Sequence, residues 1–316
     1  MITASHKPSW PSIPYAEWRD TLETLQLWTQ IVGKIRLAQT PWVNHAWHSA
    51  LHVSARGLTT SLISLPNSGI EIEFDFIAHR LWLRTTTGGE ASVPLAPQTV
   101  RTFYGEVMAA LLSVGVEVEI NRIPNEVAEP IPFPDDDRHH TYDGGAAHRF
   151  WLAVLQCDRV FKLFRTRFTG KCSPVHFFWG SFDLAVTRFS GRTAPPHPGG
   201  VPNLPDAVAR EAYSHEVSSA GFWPGGGPID YPAFYSYAYP EPPGYRGVSP
   251  GPNGGFFDDR MGEFILPYEV VRTAEDPDAV LLEFLQATYE AAAHRGAWDR
   301  AALEVPTGDF GRPRAV

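Results

Sequence analysis

Asp183, His176, His215 and Glu216 are the side chains of this 316-residue chain whose types best suit proton transfer. A histidine titrates near physiological pH and a carboxylate can orient it or take its proton. His215 or His176 as acid or base, with Asp183 and Glu216 as carboxylates, would therefore form an acid–base set. His215 and Glu216 are adjacent, and on an extended strand adjacent side chains face opposite ways; each histidine alone suits a hydrogen-bonded structural role equally well. Trp179, Ser181 and Asp183 alternate, so a strand through them presents an indole, a hydroxyl and a carboxylate on one face, with Arg188 on the other. That set can hold a polar, flat or sugar-like ligand, or it can simply face water.

Arg188 has a counterpart. Trp47-x-Ser49 followed by Arg56 recurs 132 positions later as Trp179-x-Ser181 followed by Arg188. Two guanidiniums near a common axis would clamp a carboxylate or phosphate; the alternative is a pair of arginines holding the halves together through carboxylates. Asp183 has no such counterpart, because Leu51 stands at the matching position. Further along, Phe222 and Trp223 precede a run of three glycines, and Phe234-Tyr235-Ser236-Tyr237-Ala238-Tyr239 alternates so that three tyrosines share a face. Trp223, Tyr235 and Tyr237 thus offer a stacking wall for a ligand or a core edge.

Several chemistries lack their residues. No nucleotide-binding glycine loop, zinc signature or nucleophile elbow is present, so no cofactor is expected. His48 and His52 share a strand face, but Cβ atoms four residues apart on a strand lie roughly 13 Å from each other, too far to chelate one ion, so no metal is expected either. Two cysteines, Cys157 and Cys172, are too few for a disulfide framework. A net charge of -9 disfavours nucleic acid and anionic membranes, and no apolar run approaches membrane-spanning length. Met1 to Pro14 has no leader pattern, which points to a cytoplasmic location.

The elements that must position these residues are legible as periodicity. Trp18, Leu22, Leu25, Trp28, Val32 and Ile35 recur at three and four residues and predict a helix over Tyr15–Leu37; the 132-residue offset places a second over Ala146–Phe168. Strand-like stretches follow at Asn44–Gly57 and Pro174–Gly191. Ile70–Phe76, Leu81–Thr85 and Ala91–Leu95 read as antiparallel strands. Closing helices are predicted around Phe103 and Phe284, stopped by Gly115 and Gly296, the second opened by Asp276-Pro277. Gly191–Gly262 holds 13 of the 29 prolines and 13 of the 27 glycines, and its aromatics argue for an ordered loop over a site. Asn121–Gly145 reads as an exposed linker, with His139 and His140 in an acidic run.

The stretches 30–37, 53–60, 173–192 and 211–225 resemble a bacterial family catalogued as a domain of unknown function. That resemblance implies no activity, cofactor or catalytic residue. The expected architecture is an α+β protein, internally duplicated, with two helix–antiparallel sheet–helix halves about a pseudo-twofold axis. Residues 1–120 form the first repeat, 121–145 a linker, and 146–316 the second repeat with the loop insertion 191–262. The expected function is cofactor-independent acid–base chemistry on a polar or anionic small molecule in the second half, with Arg188 on an anionic group. A noncatalytic small-molecule or peptide binding module is the alternative.

Overall fold

The first helix is buried on nearly every side, which sets the rest of the architecture. In the computed structural model, which describes residues 9–309 and 311–314, α1 (Tyr15–Gln39) has all eight residues from Trp28 to Ile35 buried. Most of the segment read for a leader lies outside the described residues. Gly33 is needed where it sits. A Cβ there would come within 2.2 Å of the Trp179 ring, so the absence of a side chain lets the second half press against the helix.

The first antiparallel sheet has six strands: β1 (His52–Val53), β2 (Gly57–Thr59), β3 (Ile63–Leu65), β4 (Ser68–Asp75), β5 (Arg80–Thr85) and β6 (Glu90–Pro94). Their order is β1-β2-β4-β5-β6, with β3 also on β4. The alternation in β4 does what it predicts: Ile70, Ile72 and Phe74 are fully buried, packing with Val100, Phe103 and Val107 of α2 (Val100–Ser113) in one core. Trp28 of α1 stacks on Phe103 at 4.4 Å between ring centres. The stretch read as a strand over Asn44–Gly57 is mostly not one. A 3-10 turn at Asn44–Ala46, with His45 at φ 61°, precedes the two residues of β1.

The second sheet follows α3 (Gly144–Arg165) and contains β7 (His176–Phe178), β8 (Asp183–Thr193), β9 (His215–Trp223), β10 (Ala233–Tyr239), β11 (Phe256–Asp258) and β12 (Glu263–Pro267), in the order β11-β12-β10-β9-β8-β7. Between β8 and β9 lies α4 (Asp206–Ala212); after β12 come α5 (Tyr268–Arg272), α6 (Pro277–Arg295) and α7 (Arg300–Leu303). Asp276 caps α6 by accepting from the Ala279 amide at 3.0 Å, as its pairing with Pro277 predicts. One core joins both sheets: Leu51 and Phe177 exchange backbone hydrogen bonds, and Trp179 donates to the Ser49 carbonyl at 2.8 Å.

The architecture is thus α+β with two antiparallel sheets. The expectation of a loop over Gly191–Gly262 needs correction, because the stretch contains two inner strands of the second sheet. Its prolines and glycines cluster around those strands: Ala233–Tyr239 holds neither residue type and His215–Trp223 a single glycine. Composition averaged over the whole stretch hid them. The segment 121–145 also differs from an exposed linker, since Phe133 and Asp136 are buried.

Candidate functional site

Alternation along the second sheet gives its two faces opposite jobs. Leu184, Val186, Phe222, Phe234, Phe264 and Leu266 are buried in the core. The other face lines a cavity of about 1020 Å³. Its floor is low because the central strands carry small side chains: Ala185 of β8 is registered with Gly221 and Thr187 with Ser219 of β9. Its wall is tall because β10 carries Tyr235, Tyr237 and Tyr239 on that face. Gly221 is required beneath Tyr235, where a Cβ would lie 2.3 Å from the phenol oxygen. The opposite side comes from α1, the segment 124–139 and the turn bearing His45 and Trp47.

Asp183, at the start of β8, is the best-held group in the cavity. Ser181 donates to its Oδ1 at 2.5 Å and the Tyr235 hydroxyl donates to its Oδ2. Burial raises the carboxyl above its ordinary range, and those two donors pull it partly back. Glu126 and Glu263 line the same cavity. Burial, then the nearness of Asp183, pushes each up to about 7. Both side chains are half-buried, and among the described residues neither carboxylate has a hydrogen-bond or ion-pair partner. Tyr213 and Tyr237 share a hydrogen bond of 2.7 Å, and burial lifts Tyr213 to about 12 and Tyr237 well above its ordinary value. Both stay protonated at neutral pH.

Glu126 is carried on a residue with φ 58°, a left-handed conformation costing about 1 kcal/mol for a side chain of this kind. The neighbouring backbone is clamped to hold it. Gln30 of α1 donates to the Asn125 carbonyl at 2.9 Å and accepts from the Asn125 amide at 2.8 Å, while Lys34 donates to the Asn125 side chain. The Glu126 amide donates to Pro202 at 2.9 Å. Lys34 is buried, and desolvation lowers it to about 8.

His176 also lines the cavity, with 1% of its surface exposed. Its Nδ1 lies 2.6 Å from the Pro174 carbonyl and so must carry the proton there; Nε2, the acceptor, is buried without a partner. Burial lowers the ring to about 4, which keeps it neutral.

The structure brings Asp183, Ser181, His176, Trp223, Tyr235 and Tyr237 together around one cavity. It does not bring the others. Trp179 is in the turn before β8 rather than on a strand with Asp183, and its ring is spent on Gly33 and Ser49. Arg188 faces the core: its guanidinium sits 3.5 Å from the centre of the Phe164 ring and 4.3 Å from that of Tyr289, and it donates to the Phe164 carbonyl. Arg56 pairs at 2.5 Å with Asp75 on the first sheet. Glu216 pairs at 2.7 Å with Arg192. His215 stands beside the cavity's rim, its ring 6.0 Å from that of His45. The anion clamp expected from Arg56 and Arg188 is therefore not formed: Arg56 is held by Asp75, and Arg188 is buried among rings with its Nε and Nη1 unpartnered among the described residues.

Glu126 and Glu263 escaped the sequence reading. Glu263 carried a signal, as the one charge in the otherwise apolar run Glu263-Phe264-Ile265-Leu266. Glu126 carried none, since it sits between turn residues of an irregular segment.

A two-sheet α+β protein with an acidic, tyrosine-walled cavity on one sheet is the class that fold and site define. The chain belongs to the family of unknown function DUF5996, which matches residues 10–305. No curated protein and no solved structure matches it. No helix among the described residues is long and apolar enough to cross a membrane, and no group of three or more potential ligands among them could hold a metal ion.

Proposed function

We propose that the cavity is a small-molecule site for cofactor-independent acid–base chemistry on a polar ligand. The observation that carries this reading is the convergence of Asp183, Glu126 and Glu263 on one tyrosine wall. Carboxyls near 7 hold and release protons at neutral pH, which is what a general acid and base require. Asp183, fixed by Ser181 and Tyr235, is oriented as a base or as the group that steadies a developing positive charge. The anionic ligand expected from the sequence gives way to a neutral or cationic one, since the arginines meant to hold the anion lie elsewhere. Descent of the two halves from one duplicated unit belongs to the same proposal; the shared succession of long helix, antiparallel sheet and closing helix supports it, while the differing strand orders, β1-β2-β4-β5-β6 and β11-β12-β10-β9-β8-β7, count against it.

The test is a thermal-shift screen of neutral, cationic and anionic small molecules on the parent protein and on Asp183→Asn, followed by turnover assays on the hits. Ligands whose shift is lost in Asp183→Asn, and whose turnover falls by about two to four orders of magnitude, support acid–base catalysis. Ligands whose binding is lost without any turnover in the parent favour the noncatalytic binding module. Hits indifferent to Asp183→Asn would place the site elsewhere.

A further inference from the structure

The free polar groups of the cavity are of one electrostatic kind. Among the described residues that line it, six carry carboxyl groups and one, Arg138, carries a permanent positive charge. Arg138 is exposed, in the segment whose buried Asp136 is already held by the ring and amide of His139. Glu126 and Glu263 have no hydrogen-bond or ion-pair partner among the described residues, and Asp183 lies close to both. The carboxylates are acceptors, and a ligand that satisfies them must bring several N–H or O–H donors. Tyrosine and tryptophan rings around the same space favour positive charge over negative.

We infer that the ligand of this cavity is an organic ammonium ion, held by charge-assisted hydrogen bonds to the carboxylates of Asp183, Glu126 and Glu263. The inference rests on the small-molecule reading above and sharpens it to a ligand class. An ammonium group places donors against acceptors that have no partner among the described residues, and its charge relieves the mutual repulsion of three carboxyl groups around one cavity. A neutral polyol would meet the acceptors but leave the repulsion in place. A carboxylate would add to it.

Binding is coupled to protonation in a defined direction. Glu126 is within electrostatic reach of Asp183 and Tyr213, and Glu263 of Asp183, Asp258 and the phenols of Tyr213, Tyr235, Tyr237 and Tyr245. The phenols stay neutral through the physiological range and burial lowers His45 and His197, which also line the cavity, so the two glutamates are the carboxyls raised into that range. A bound cation stabilises their ionised form and lowers their pKa, and the ammonium form of an alkylamine persists across the same range. Affinity is therefore full above pH 7 and falls as acid protonates the carboxyls, with protons released on binding near neutrality.

The experiment is isothermal titration of the full-length protein with three probes of matched shape: 2-phenylethylamine, 2-phenylethanol and 3-phenylpropanoate. The amine is expected to bind about tenfold or more tightly than the alcohol at pH 8, as a charge-assisted contact exceeds a neutral one. That advantage should shrink towards pH 6, and near pH 7 the heat should depend on the buffer as protons leave. Glu263→Gln and Glu126→Gln should each weaken the amine more than the alcohol; each keeps the side-chain size, and circular dichroism checks the fold. Equal or tighter binding of the alcohol overturns the ammonium inference while leaving the small-molecule site standing. Tighter binding of the carboxylate, or an amine affinity that rises on acidification, overturns it too. If the amine gives no heat at all the inference is wrong, and the wider small-molecule reading is judged by its own screen.

Discussion

The polar residues on the outward faces of the two sheets are used in different ways. On the first sheet Glu73, Asp75, Arg84 and Glu90 meet opposite charges, while Glu71 and Arg80 are held by the hydroxyls of Thr59 and Ser92. Glu73 accepts from Ser54 at 2.7 Å and meets Arg84 at 3.3 Å; Arg84 also reaches Glu90; Asp75 holds Arg56 and two backbone amides. Arg84 and Arg80 further lie over the Trp82 ring. On the second sheet, among the described residues, Glu263 is unpaired and Asp183 is held by neutral hydroxyls, with Glu126 brought across from another segment to add a further carboxyl. A compensated face needs nothing more to be stable in water. An uncompensated one leaves carboxyls that a ligand could satisfy, and this difference is what the proposed site on the second sheet rests on.

The largest expected effect that sharpens the contrast concerns His176. Its ring is depressed to about 4, while the unfolded chain binds that proton near 6.5. A group depressed in the folded state lends stability above the unfolded value and loses it as pH falls towards the folded one. Set against His176→Gln, the parent should lose relative stability between pH 6.5 and 4, by about 3 kcal/mol in all. Chemical denaturation of both proteins at several pH values measures the gap. A gap that does not change with pH would mean that the ring is solvated and not buried against the sheet.

A smaller effect tests whether the first half really positions the site. Gly33→Ala adds a methyl group within 2.2 Å of Trp179, whose turn leads through Ser181 into Asp183. Helix propensity alone would favour alanine, yet overpacking should win and cost about 2 kcal/mol. Thermal denaturation gives the sign. A stabilised variant would show that Trp179 has room to move and that the contact between the halves is loose.

Much of the fold was legible. The helix of Tyr15, the strict alternation of Ile70–Phe76 and the cap at Asp276 each express a local rule that the tertiary structure had no reason to override. The Trp-x-Ser…Arg recurrence was real as sequence but misleading as chemistry, because burial decides what an arginine does and one-dimensional spacing does not report burial. Arg188 ended among rings and Arg56 at a sheet edge. The tyrosine alternation did locate one wall of the cavity. The acids were harder: Glu126 reaches the cavity through a left-handed backbone and a clamp from residues 30 and 34, contacts between positions more than 90 residues apart.

The smallest effects test the comparison most directly, because they should differ in sign. Glu73→Gln on the first sheet removes a charge that Arg84 and Ser54 answer, and should destabilise the protein at pH 7 by less than about 1 kcal/mol, as partly exposed pairs do. Glu263→Gln on the second removes a charge that nothing among the described residues answers. A carboxyl raised in the folded state contributes stability below its unfolded pKa and loses it as pH rises through the folded value of about 7. The ligand-free glutamine variant should therefore be the more stable protein at pH 8, by about 1 to 2 kcal/mol after discounting for its partial exposure to the cavity. That advantage should vanish near pH 4.5, where the parent is protonated too. Urea denaturation of the three proteins at the two pH values reads out the signs. If Glu263→Gln destabilises at pH 8 as Glu73→Gln does, Glu263 has a partner after all, the two faces are alike, and the case for a site built on uncompensated charge fails.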